Sequence, residues 1–324
     1  MAQVIAHPIS PPVSRFRSPV SQTTANTPTY WHTLRMTPEP IQNHPFDAAI
    51  ALQALGGNEF SGATHPAWNN MVGPFGGVSA AAVLNTVMQH PKRLGEPVSL
   101  TVNFAGALAP GPFAATARPV RTNRSTQHWT VELRQPAPGA TASDGQPDDV
   151  VLTATVMTAI RRDTWGATDL PMPPVSLPLD TPPATNHRME WLNRYDLRPV
   201  FGTIPTVWEG QAASDDPLQA SLSQVWMRDA PSRPLDFCSL AALCDVFFPR
   251  ILLKRATMTP VGTVSMTVYF HVSRAELVEV GTGYLLGQAR AQAYARGFFD
   301  QTAQLWSEAG VLVATTHQVV YYKA

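Results

Sequence analysis

Two heptapeptides constrain the fold of this chain more than any other feature. VSLTVNF (Val98–Phe104) and VSMTVYF (Val264–Phe270) share five of seven residues at an offset of 166. A second pair, VLTAT (Val151–Thr155) and VLVAT (Val311–Thr315), shares four of five at an offset of 160. Each heptapeptide follows an apolar helical stretch, and each pentapeptide comes several β-like segments later, so order and spacing agree as well as residues. Agreement at this distance marks a duplicated unit.

The unit reads as one central helix followed by about four strands. In the first half, GPFGG (Gly73–Gly77) opens the Ala-rich helix VSAAAVLNTVMQH. The β segments VSLTVNFAGAL, FAATARPVR, TQHWTVELRQ and VVLTATVMTAI follow, with a polar loop at Pro136–Asp149 between the last two. Upstream, PFDAAIALQALGGNEF predicts a short helix closing at Gly56-Gly57, and FSGATHPAWNN a strand and loop. In the second half, MEWLNRYDLRPVF and ASLSQVWMRD read as strands before the helix Phe237–Leu253. SMTVYFHV, GYLLGQARAQAYAR, GFFDQTAQLWS and VLVATTHQVVYY then follow, the last two joined by a turn at Glu308-Ala309-Gly310. The expected class is α+β, with two tandem modules of long antiparallel strands wrapped around a helix. The expected boundaries are a leader over 1–35, a first module over 36–165, a Pro-rich linker over 166–186 and a second module over 187–324.

The leader has no acidic residue and three Arg, a composition compatible with a transit peptide. Its prolines at 8, 11, 12, 19 and 28 interrupt an amphipathic helix, which favours a disordered leader and a cytoplasmic location over an organelle. Lys+Arg and Asp+Glu both number 23, so no basic field exists to hold nucleic acid. No apolar run approaches the ~20 residues of a membrane span. Cys238 and Cys244, the only cysteines, share one expected helix and make neither a disulfide framework nor a metal cage. The nine His show no metal-binding spacing, so neither a metal nor any other cofactor is expected.

The second helix carries the chemistry. Between Phe237 and Leu253 only Ser239, Asp245 and Arg250 interrupt an apolar run, the pattern of a core helix. Asp236 is placed to cap its N-terminus. Asp245 falls in mid-helix, where a carboxylate is costly unless paired or used. The strand after it carries a hydroxyl, Thr267.

GPFGGVSAAAVLNTVMQHP and VSLTVNF in the first half, with VWMRDAPSRPLDFCSLAALCDVFFPRI, VSMTVYFH and GVLVATTHQ in the second, resemble the double hotdog acyl-CoA thioesterases of the bacterial thioesterase II type. The resemblance spans Phe46 to Tyr322 and implies a double hotdog fold, in which each module wraps a curved antiparallel sheet around a long helix. It also implies a hydrolytic site made of an Asp on the second central helix, a Thr or Ser on the next strand and a Gln on the last strand. By motif these are Asp245, Thr267 and Gln318. Such a set can activate water without a covalent nucleophile: the carboxylate takes a proton while hydroxyl and amide orient the water. The Gly76 and Gly77 backbone N–H groups are candidates for oxyanion and substrate binding. Arg124 and Arg296, at similar places in the two halves, are candidates for CoA phosphates or for plain solvation. Ser265-Met266 stand where some relatives have Asp-His.

At the repeat offsets, Asp245 pairs with Asn85, Thr267 with Thr101 and Gln318 with Thr158. Asn cannot act as a base, so one working site per chain is expected, with the first half supplying wall and acyl pocket. The expected partner is an acyl-CoA or acyl-carrier-protein substrate. An acyl-thioester binding protein without catalysis and an enoyl-thioester hydratase or dehydratase are the alternatives, and homo-oligomer formation is left open.

Overall fold

The duplication is written into the order of the strands. The computed structural model describes residues 44–136, 148–184, 189–204, 208 and 221–323, so the expected leader lies outside the described residues. The first half contributes β1 (Gln53–Gly56), β2 (Glu59–Ala63), β3 (Glu96–Phe104), β4 (Pro112–Thr122), β5 (Thr126–Gln135) and β6 (Asp149–Ala159). The second contributes β7 (Tyr195–Phe201), β8 (Ser223–Asp229), β9 (Val261–Phe270), β10 (Leu285–Arg290), β11 (Tyr294–Ala295), β12 (Phe298–Ser307) and β13 (Leu312–Tyr322). They form one antiparallel sheet in the order β1-β2-β4-β5-β6-β3-β9-β13-β12-β10-β8-β7, with β11 paired to β12. Read outward from the β3–β9 seam, the two halves follow the same path, and the fold is a double hotdog of α+β class.

The seam is symmetric in its register. Ser99 faces Tyr269, Thr101 faces Thr267 and Asn103 faces Ser265, so the two heptapeptides cross about the threonine pair. The Thr101 and Thr267 hydroxyls meet at 3.0 Å. The same bulge recurs on both sides: Pro97 and Ser99 oppose Thr158 and Met157, while Thr263 and Ser265 oppose Val320 and Val319. This register corrects one repeat pairing. Leu100 pairs with Val156 and its counterpart Met266 pairs with Gln318, so Gln318 corresponds to Val156 and not to Thr158. The pentapeptide match is slipped by two residues because the loops of the two halves differ in length.

Five helices lie among the described residues: α1 (Pro45–Ala49), α2 (Gly76–Gln89), α3 (Phe237–Leu243), α4 (Arg250–Arg255) and α5 (Arg274–Val280). None is long and apolar enough to cross a membrane. Helix α2 is Ala-rich, hence a strong helix former, and is buried over most of its length against α3 and the first-half strands. Asp236 caps α3 as expected, its Oδ1 accepting from Ser239 N–H at 2.8 Å.

The helix expected over Phe237–Leu253 is broken. Cys244 N–H still reaches Leu240 O, but Asp245 N–H turns back to Ala242 O, and a turn runs from there to Pro249, where α4 begins. Pro249 lacks a donor, and its ring drives the residue before it out of helical conformation. Asp245 therefore stands in the break and not in mid-helix. Residues 45–60 hold α1 and a β1–β2 hairpin instead of one closing helix, because Gly56 and Gly57, at φ 102° and 60°, supply the turn. MEWLNR begins with a 3₁₀ turn, Glu190–Arg194, before β7. Helix α5 is absent from the expected elements, although its Ser273–Glu276 capping box stands in the sequence.

The Pro-rich linker is itself a packing element. Trp226 Nε1–H donates to Ser176 O at 2.8 Å and Trp306 Nε1–H to Leu170 O at 3.3 Å, while Arg198 holds the carbonyls of Pro178 and Thr181. Met172 and Val175 cover Trp226, Tyr284 and Leu286 on the outer face of the second-half sheet. The linker prolines leave their carbonyls free to accept, which suits a strap laid across indole and guanidinium donors.

Candidate active site

The break between α3 and α4 lies over the inner face of β13, and the two expected residues there meet. Gln318 Nε2 donates to Asp245 Oδ1 at 2.8 Å. Gln318 is buried, since it points inward with its neighbour Met266, whose sulfur lies 3.5 Å from the same amide nitrogen. Asp245 keeps part of its surface open. Its carboxyl is pushed up to about 7, because withdrawal from water outweighs the Gln318 amide and the Gly77 backbone N–H, both of which favour the anion.

The other side of Asp245 is the start of α2, from the first half. Phe75, the N-cap of that helix, provides no side-chain cap. A carboxylate from the second half stands in its place, where the free N–H groups and the helix dipole favour negative charge. Gly76 makes the approach possible: a Cβ on it would lie 2.8 Å from Asp245 Oδ2 and 3.4 Å from the Phe104 ring. Gly77 is equally constrained, with Ala242 O 2.6 Å from where its Cβ would be. Of the two expected oxyanion donors, Gly77 is thus directed to Asp245.

Thr267 does not join this group. Successive strand residues face opposite ways, and Met266, Val268 and Phe270 are the buried, inward set on β9. Thr267 therefore points to the outer face, against Thr101 at the seam. The hydroxyl that reaches the site is Thr263, which the bulge at Val319/Val320 turns inward and whose Oγ1 lies 3.5 Å from Gln318 Oε1. Arg124 and Arg296 are exposed in the turns leading into β5 and β12. Asn85, set against Asp245 by the sequence offset of 160, donates to Ile50 O at 2.8 Å.

Two further polar residues extend the inner face around Gln318. Gln301 is its direct cross-strand neighbour on β12, and Thr316 lies two residues away on β13. Both are buried, and Gln301 Oε1 and Thr316 Oγ1 have no hydrogen-bond partner among the described residues. By register, Gln301, Gln318, Thr316 and Thr263 correspond to Trp129, Val156, Ala154 and Pro97 in the first half. The signal that finds them is this polar-for-apolar replacement, visible only once the strands are paired.

A half-buried carboxyl of raised pKa, a neighbouring amide and hydroxyl, and a helix N-terminus meet here, an arrangement chemically able to activate water. Residues 64–159 match the model of the acyl-CoA thioesterase N-terminal domain and residues 171–322 that of the C-terminal domain. A hot dog fold protein of unknown function from Alicyclobacillus acidocaldarius is 43% identical, with a TM-score of 0.77, over 87% of this chain and 99% of that one. The acyl-CoA thioesterase II TesB2 from Mycobacterium marinum (18% identity, TM-score 0.64) and the tesB protein of Mycobacterium avium subsp. paratuberculosis (18%, 0.66) each match 86% of this chain and 98% of their own. At that identity they show the shared fold. A comparison with curated proteins found no match. The chain belongs to the acyl-CoA thioesterase family.

Proposed function

We propose that this protein hydrolyses an acyl thioester of CoA or of an acyl-carrier protein to the free acid and the thiol, at one site per chain. The observation that carries this reading is the Asp245–Gln318 hydrogen bond at the N-terminus of α2. Asp245 takes a proton from water as the water oxygen attacks the thioester carbon. The tetrahedral intermediate then expels sulfur, which recovers that proton from Asp245. Gln318 holds the carboxylate, and Thr263 takes the orienting role for the water that the motif assigned to Thr267. The Gly76 N–H at the start of α2 faces the developing oxyanion, while the Gly77 N–H holds Asp245. Arg124 and Arg296 are exposed cations, candidates for the CoA phosphates or for plain solvation, and the first module (36–165) supplies the wall opposite the catalytic module (187–324).

The test is thiol release from a panel of acyl-CoAs by wild type, Asp245→Asn and Thr263→Val. Loss of a general base lowers kcat by about 10²–10⁴. Equal rates for wild type and Asp245→Asn overturn the assignment of the base, and no release by wild type overturns the activity.

A further inference from the structure

The unpaired polar atoms beside Gln318 call for an occupant. A buried hydrogen-bonding group without a partner is destabilising, and among the described residues Gln301 and Thr316 each present one. The fold does not require them, because the first half builds the same two positions from Trp129 and Ala154. They also stand apart from the apolar packing on either side. Phe299 and Val320 lie under Ile251 and Leu252 of α4, and Ala303, Leu305 and Ala314 belong to the main core with α3. Gln301 and Gln318 thus fall beneath the helix break, where the Asp245 carboxylate is.

We infer that Gln301 and Thr316 form a specificity pocket for an acyl group that carries a hydroxyl close to its thioester carbon. A hydroxyl is both donor and acceptor: it can donate to Gln301 Oε1 and accept from the Thr316 hydroxyl, satisfying both orphaned atoms at once. Gln301 lies directly opposite Gln318, about 5 Å away, and Thr316 diagonally from Gln301, about 7–8 Å away, which sets a hydroxyl between them within a few bonds of a carbonyl held at Asp245. A plain acyl chain leaves both groups unpaired, and a site built to bond a substrate hydroxyl discriminates strongly against the analogue that lacks it. This substrate class rests on the thioesterase reading above.

The experiment compares kcat/KM for unsubstituted acyl-CoA with the 2-, 3- and 4-hydroxyacyl-CoAs of equal chain length, using wild type, Gln301→Met and Thr316→Val. Wild type is expected to favour one hydroxy isomer by at least tenfold, and each substitution to lower that ratio by about tenfold. Both replacements exchange an unpaired buried polar atom for an apolar one of similar size, so the unfolding midpoint holds or rises. No preference for any hydroxy isomer in wild type, or a ratio that survives both substitutions, overturns the inference. Asp245→Asn separates the two readings. If it hydrolyses plain acyl-CoA as fast as wild type, the base assignment has failed. If it is inactive while wild type shows no hydroxyl preference, only the pocket has failed.

Discussion

Replacing Asp245 by Asn should cost activity and return stability, and the return should depend on pH. The carboxyl is raised from 3.8 to about 7 in the folded chain, so its ionised form is disfavoured by burial. A folded acid of raised pKa binds more protons than the unfolded chain, so its contribution to stability is full below about 4 and is lost as pH rises through about 7. The span from 3.8 to about 7 corresponds to about 4 kcal/mol as a ceiling. Part of Asp245 is open to water, which reduces the realised value to about 1–2 kcal/mol. Asparagine has the same shape and no charge; its Oδ1 still accepts from Gln318, while its NH2 leaves the Gly77 N–H without an acceptor, a cost that does not vary with pH. The melting temperature of the variant relative to wild type should therefore rise by a few degrees between pH 4 and pH 8, with the rise levelling off above pH 7. Asp229, likewise pushed up to about 7, titrates in both proteins and cancels from the difference. Differential scanning fluorimetry from pH 4 to pH 8 measures the gain, and thiol release measures the loss. A gain independent of pH would refute the argument that a buried charge is being held against its preference.

Gly76→Ala places a methyl 2.8 Å from Asp245 Oδ2, so kcat should fall about 10- to 100-fold while the unfolding midpoint stays within about 2 °C, since Ala favours the helix. Gly77→Ala instead meets backbone, Ala242 O at 2.6 Å, and should cost about 1–3 kcal/mol in a urea titration. Thr263→Val should lower kcat by about tenfold or more, whereas Thr267→Val should leave kcat within about twofold and weaken the seam by about 1 kcal/mol. Steady-state rates for wild type should rise with pH through about 7, as the base ionises.

The double module and the Asp245–Gln318 pair were legible from the chain because each rests on a local contrast. The repeat shows as matched strings, and Asp245 as an acid in an apolar run. What escaped depends on distances that no string records. The helix break needs Pro249 weighed against an apolar run that otherwise continues to Leu253. The face on which Thr267 lies needs the strand parity fixed by Met266, Val268 and Phe270. Position 263 needs the bulge opposite Val319 and Val320 to turn it inward. A one-residue error of parity moves a side chain to the other face of the sheet, so a motif can name a strand without fixing which of its hydroxyls faces inward.

The placement of Thr267 follows from the symmetry itself. VSLTVNF and VSMTVYF match because both strands meet at the axis of the duplicated sheet, where Thr101 and Thr267 bond to each other. A residue alike in both halves that builds the seam cannot by itself mark either half as a place for chemistry. The distinguishing positions are those at which the paired strands of the two halves disagree: Thr263 against Pro97, Gln318 against Val156 and Gln301 against Trp129. In each case the first half has a residue unable to act as a base or an apolar one, and the second has a group able to accept or donate a proton or hydrogen bond. The matched residues therefore locate the axis, and the mismatched ones beneath the helix break locate the site.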